Sequence, residues 1–413
     1  MNTGTAHTVS RWHTPLLVII AGCLIALLGF GIRSSFGLFL EPITQARDWN
    51  RETFAIAMAL QNLFWGIGVA IASAISDRFG PAKVIAAGAL MYALGTLGMA
   101  EATNGFTLHL LAGVVAGLGI AFTAFSIALS AIAAVVGPEK RSMALGVGTA
   151  SGSLGQVVFS PIALGFIEAY GWHSALWILA VIVLALVPLA FMLPGPGQAV
   201  EATQSEEQSL RQAMEEALAH RGFVLLALGF FVCGFHVAFV SVHFPAYIKD
   251  LGLDAKVGAY ALSIIGLCNI LGSFLSGIAG QRWSKKGSLS VIYFTRAIVI
   301  ACLLMAPKTE ITIYLFSFAM GILWLSTVPL TMGIVAQIFG IRYMATLVGL
   351  VFFSHQVGSF IGVWLGGYLY DLNGSYDPVW YAGIVLGILA ALIHMPIDEQ
   401  PLQRVTEKFA AAG

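Results

Sequence analysis

Arg33 lies deep inside an apolar run, residues 16–40, in the stretch GFGIRSSFGLFLEP. A charge well inside a membrane helix costs about 2.5–3.5 kcal/mol on insertion scales, and it normally faces a cavity on a substrate path. Aligning Pro42 with Pro245 places Arg33 opposite His236, in CGFHVAFVSVHFPA. Two halves of the chain thus present a cation and a titratable base at equivalent places. An unpaired buried guanidinium seeks an anion, and a carboxylate fits its planar donor fork. The chemistry implied is capture of a small carboxylate. The contrary reading is an arginine that snorkels to the outer surface. Its polar repeat mate weighs against that.

The other candidates share the same sign. No Asp or Glu falls in the middle of an apolar run; Glu41, Glu168 and Asp371 lie at run ends. Core charge is therefore positive or titratable, at Arg33, His236, His243, His355 and Arg296. Histidine titrates near pH 6.5, so a proton would ride on the substrate or on an imidazole. His236 is the first proton-coupling candidate, because proton and anion binding beside Arg33 would be cooperative; His355 and His243 are the others. His243, seven residues on from His236, shares its helix face and is either functional or interfacial. His355 and Gln356 sit mid-run in LVFFSHQVGSF, a depth that favours lining a cavity. Trp324, near Thr327, either walls the site or packs the core, and Gln61 and Asn62 are equally open. Arg296 is expected to snorkel toward the cytoplasm.

These residues need a membrane scaffold. Of 413 residues, 58% are hydrophobic and 10% charged, with mean hydropathy +0.88. Soluble domains carry about 25% charged residues. Net charge is zero, which points away from nucleic acid. Cys23, Cys233, Cys268 and Cys302 all fall in apolar runs at irregular spacing, as small core residues do. No nucleophile constellation, metal cluster, paired carboxylates or ATP motif is present, so an enzyme is disfavoured and no cofactor is called for.

Runs of about 20 apolar residues can span the hydrocarbon. Twelve occur, near 15–40, 52–76, 82–101, 106–132, 142–169, 173–194, 222–247, 257–280, 289–306, 311–337, 344–370 and 377–396. The run after the polar N-terminus is too long for a signal peptide and reads as an uncleaved first span. A polar segment follows span six and contains the amphipathic stretch SLRQAMEEALAH. Placing both termini in the cytoplasm puts thirteen Lys and Arg inside and five outside: Arg47, Arg51, Lys249, Lys256 and Lys308. The halves repeat. Residues 68–85 align with 272–289 at an offset of 204, pairing Gly68 with Gly272 and Arg78 with Arg282. Residues 155–177 align with 358–380 at 203, pairing Gly155 with Gly358 and Gly171 with Gly374. The expected fold is all-α, twelve transmembrane helices in two pseudo-symmetric bundles of six. The bundles are 1–194 and 222–413, the latter with a short cytoplasmic tail, joined by a cytoplasmic linker at 195–221.

The loop after span two, SDRFGPAK, resembles the major facilitator signature G-x-x-x-D-R-x-G-x-[RK] through Asp77, Arg78, Gly80 and Lys83, with Ser73 in place of the first Gly. The resemblance covers the whole chain. Within that superfamily, SFGLFLEPI, GLGIAFTAFSIALSAI, EKRSMALGVGTASGS and GWHSALWI are similar to the monocarboxylate transporter branch and its bacterial relatives. This implies alternating access around a central site, with Asp77, Arg78 and Lys83 as a latch on the cytoplasmic side. Gln281 replaces the equivalent acid in the second half. Asn269 and Ser273 stand where the proton-coupled carriers of the branch have an Asp–Arg pair, and Gly113 is near the place of the span-four Arg of other symporters. By that family position Asn269 lines the cavity; helix-packing glue is the alternative. The expectation is a multi-pass carrier of the cell membrane, by its relatives the bacterial inner membrane. It would move a small carboxylate with a proton or against a counter-anion; the alternative is an exporter of hydrophobic or drug-like compounds.

Overall fold

The computed structural model describes residues 14–136, 138–194, 209–340 and 342–402. The described residues form helices and short connections, with no strand. Among the described residues eleven stretches are long and apolar enough to cross a bilayer. One of them, Met143–Ala190, is a pair. Gly171 breaks it with φ 77°, ψ 159°, a region that only glycine enters without strain. Dividing there gives twelve helices: α1 Pro15–Arg47, α2 Arg51–Phe79, α3 Pro81–Glu101, α4 Gly105–Ala133, α5 (138–170), α6 (172–190), α7 Arg221–Asp250, α8 Ala255–Arg282, α9 Lys285–Met305, α10 Glu310–Phe339, α11 Met344–Asn373 and α12 Asp377–His394. Gly374, the repeat mate of Gly171, also has positive φ (67°) and separates α11 from α12.

The repeat carries through to packing. A Cβ on Gly155 (α5) would collide with the Leu27 carbonyl of α1, and one on Gly358 (α11) with the Phe231 carbonyl of α7. Likewise Gly68 lies against Ala121 of α4, and Gly272 against the Ile322 backbone of α10. Membrane helices gain little from apolar burial in lipid, so close backbone approach at small residues supplies much of the cohesion. The outward sides carry exposed Leu90, Leu94, Val181, Leu271 and Phe274, as a lipid-facing surface must.

The halves meet along α2–α11 and α5–α8. The seam is closed at the end bearing Arg51. There Arg51 forms an ion pair with Asp250, and Lys249 one with Glu41; a Cβ on Gly367 of α11 would collide with Ala55 of α2. Toward the opposite end, bearing Asp77, the seam opens. Gly146, Gly277 and Gly349 have no atom within 4 Å of a Cβ position. Asp77 and Arg78 are exposed there, and at that end no ion pair joins the halves among the described residues.

The segment before α7 contains the expected helix, Leu210–Ala219. Ser209 and Gln212 close a capping box, and Ala213 and Ala217 form its buried face. The first thirteen residues, 195–208 of the linker and the tail from 403 lie outside the described residues.

Candidate functional site

The site grows from a break in α1. Its helix runs Pro15–Ser34, passes through a 3-10 turn at Phe36–Phe39 and resumes at Leu40–Arg47. Ser34 and Ser35 donate their hydroxyls to the Gly31 and Ile32 carbonyls, each at 2.7 Å, a pattern that bends helices. Arg33 occupies the last turn before that break. Its Nη2 donates to Asn62 Oδ1 of α2 at 2.5 Å, while Asn62 Nδ2 donates to the Met58 carbonyl at 2.8 Å and so fixes the amide orientation. The guanidinium lies 4.4 Å from the Trp65 ring centroid, a cation–π contact. Its Nε is buried without a partner. Among the described residues no carboxylate pairs with it.

Two clefts share Arg33. One, about 300 Å³ including its open side, lies between α1, α2 and α4 and is lined by Phe30, Trp65 and Thr123. The other, about 310 Å³, is walled by both halves, with Gln61 and Asn62 facing Ala238, Ser241 and Val242 of α7. Trp65 continues toward the second half, where it meets Phe352 of α11 edge to face at 5.5 Å. One position along, Gln356 packs its stem on Gly66, and its buried Nε2 has no partner.

Not every expected residue joins this group. His236 is a correction: it is turned into the second half, where its Nε2 meets the Gly383 carbonyl of α12 at 2.8 Å. It lines neither cleft beside Arg33. The offset of 203 aligns the backbones, but an imidazole reaches only the helix it leans on, whereas the longer arginine stem carries its guanidinium to α2. His355 lies beside the seam, with Nδ1 3.0 Å from Gln356 Oε1 and its ring between Phe230 and Phe352. His243 sits near the Arg51 end. Asn269 acts as glue: its Nδ2 donates to Ser153 of α5 at 3.0 Å, and its Oδ1 accepts the Leu325 N–H at 3.0 Å. Trp324 is 1% exposed, packed in the core of the second half.

Arg296 does not snorkel. It is 1% exposed, and its Nη2 lies 2.5 Å from both the Leu323 and Trp324 carbonyls. Those carbonyls are freed where α10 breaks between Leu323 and Thr327, so a cation at that helix C-terminus satisfies groups that would otherwise be orphaned. Replacing Arg296 with methionine is expected to lower the thermal midpoint in detergent markedly. The loss corresponds to about 3 kcal/mol for two unsatisfied buried carbonyls. Ligand affinity per folded molecule should stay within about threefold, since Arg296 lines neither cleft.

Trp65 escaped the sequence reading. Its signal is the spacing in QNLFW: Asn62 and Trp65, three apart, share a helix face toward Arg33. Arg51, Asp250 and Tyr376 escaped too, because in sequence they are only loop-edge residues.

The comparisons agree with this architecture. The profile of the Major Facilitator Superfamily matches residues 20–353 and 261–411. An uncharacterized MFS-type transporter, YcxA, of Bacillus subtilis (strain 168) is 26% identical over 375 residues, covering 88% of this chain and 90% of that protein. Monocarboxylate transporter 13 of Bos taurus is 25% identical over 395 residues, covering 92% and 89%. A bacterial homolog of the human lysosomal transporter Spinster, in an inward-facing and unoccupied conformation, superposes with TM-score 0.75 at 16% identity over 93% of this chain and 96% of that one. A D-xylose–proton symporter superposes with TM-score 0.73 at 14% identity, covering 94% and 99%. The chain belongs to the Major Facilitator Superfamily and has that family's fold. It is a membrane transporter, not an enzyme.

Proposed function

We propose that the protein is a secondary carrier of small organic anions, monocarboxylates foremost, and that Arg33 takes the substrate carboxylate. The observation that carries this reading is the half-buried guanidinium, with no acid paired to it among the described residues, in a cleft walled by both halves. Asn62 and Trp65 hold the cation in place. Gln356 offers an unpaired donor from the second half, and His355 beside it is the proton carrier nearest this group in a symport reading; anion exchange needs none. The bundles are 1–194 and 222–413, with 195–221 as linker. Monocarboxylate transporters among the relatives at about 25% identity support the substrate class.

The Asp77 end faces the cytoplasm in this reading, with both termini on that side, because Lys and Arg concentrate there. The protein would then sit in the cell membrane, open inward, with Asp77, Arg78 and Lys83 released from the latch they form when it faces outward. The test is uptake into proteoliposomes. Labelled pyruvate or lactate should enter and be competed by other short carboxylates, not by neutral or cationic hydrophobic compounds. Efflux of a hydrophobic dye with no carboxylate effect would reverse the assignment in favour of an exporter.

A further inference from the structure

At the Arg51 end a directed chain of hydrogen bonds crosses the seam. His243 Nε2 lies 2.8 Å from the Val363 carbonyl of α11. A carbonyl only accepts, so Nε2 carries the ring proton and Nδ1 is bare. Tyr376 Oη, at the start of α12, lies 3.1 Å from that Nδ1 and donates to it. The same oxygen accepts from Arg51 Nη1 of α2 at 2.9 Å. Arg51 is clamped further by Asp250, at 2.6 and 2.7 Å, and by the Tyr370 ring, 3.7 Å away. Asp371 of α11 accepts the backbone N–H groups of Arg51 and Glu52 at the start of α2.

The surroundings of His243 leave one protonation state in this arrangement. From α12 it faces the Tyr376 hydroxyl, from α11 the Val363 carbonyl and the Gly366 backbone, and from α2, through Tyr376, the Arg51 cation. On α7 itself Phe239 lies along the ring at 5.5 Å, and Asp250 is engaged by Arg51. Among the described residues no carboxylate touches the imidazole. A proton on Nδ1 would force the Tyr376 hydroxyl to turn away while its oxygen still takes the Arg51 proton. It would also set a second cation beside the first, with the ring 0% exposed. Protonation of His243 therefore disfavours closure of this end.

We propose that His243 is a proton-binding site that works the gate at the Arg51 end. A proton on Nδ1 breaks the Tyr376 relay, releases Arg51 and favours the state in which the halves part there. This goes beyond the carboxylate reading and is independent of it, since it concerns the seam and can be tested without substrate.

The experiment places spin labels at Gln45 and Asn373, exposed residues of opposite halves at this end, with the four native cysteines replaced by alanine. Distances are measured in nanodiscs from pH 8 to pH 5.5. The long-distance population should rise several-fold as pH falls, with a ceiling of about tenfold per pH unit for one proton. Carboxylates ordinarily titrate near pH 4, outside this window. His243→Gln, which can still donate to Val363 and accept from Tyr376, should give a flat profile. Tyr376→Phe, which keeps Arg51–Asp250, should flatten it as well. Hydrogen exchange at the start of α2, corrected for intrinsic rates, reads the same opening in protein with its native cysteines. A flat profile in the parent by both measurements, or a parent-like response in His243→Gln, overturns the proposal.

Discussion

Arg33→Ala is expected to reduce carboxylate uptake at least about a hundredfold, a loss of about 2.7 kcal/mol that fits removal of a desolvated, charge-assisted pair. The protein should still fold. Arg33 leans on Asn62 and Trp65, neither of which is left as a buried charge when it goes. The thermal midpoint without ligand should therefore hold within a few degrees, and the stabilisation by pyruvate or lactate should vanish. Arg33→Lys should recover little, because an ammonium cannot make two parallel bonds to a carboxylate or lie flat on Trp65. Uptake and ligand-induced stabilisation equal to the parent in Arg33→Ala would remove the central claim. Loss of both with an unchanged midpoint would uphold it.

Gly37→Val should lock the Arg51 end open. Gly37 lies in the 3-10 turn of α1, and a Cβ there would collide with the Ser241 carbonyl of α7 and crowd the Val242 backbone. Backbone atoms cannot step aside as a flexible side chain can. The added volume therefore penalises the closed seam, by about 1–3 kcal/mol on the scale of overpacked cores, and is harmless once the halves part. A shift of 3 kcal/mol moves a two-state ratio by more than about a hundredfold. Transport should fall steeply, because the cycle must pass through the closed state that the added volume penalises. A cysteine at Ser241 should become reactive to a membrane-impermeant maleimide added from that side. Parent-like turnover in Gly37→Val would show that this contact does not form during the cycle.

The sequence disclosed the scaffold well. Twelve apolar runs, the offset of 203 and the glycines at 155, 171, 358 and 374 are backbone properties, and the backbone obeys them: both Gly171 and Gly374 take positive φ. Side-chain direction was less legible. Arg33 and His236 match along their helices, yet one reaches α2 and the other the Gly383 carbonyl of α12. Depth in a run also misled for Arg296. Position in a span reports distance from the membrane surface, not the presence of two free carbonyls on a neighbouring broken helix. The Arg51 cluster was hidden for a different reason. Its members come from residues 51, 243, 250, 371 and 376, and no local pattern records contacts across so much chain.

That no acid pairs with Arg33 among the described residues has an electrical consequence. A carrier whose binding cation is naked when empty and neutralised when loaded moves different charge in the two halves of its cycle. If the guanidinium crosses part of the membrane field as the bundles rock, the empty return is the voltage-sensitive step. A full elementary charge feels about 2.3 kcal/mol per 100 mV. With a negative interior, that bias holds the empty cation toward the inner face. Exchange of one anion for another, which never moves the empty form, should then be nearly indifferent to membrane potential, whereas net uptake should slow as the interior becomes more negative. Comparing the two fluxes across a potassium–valinomycin potential converts a missing carboxylate into a measurable current–voltage asymmetry.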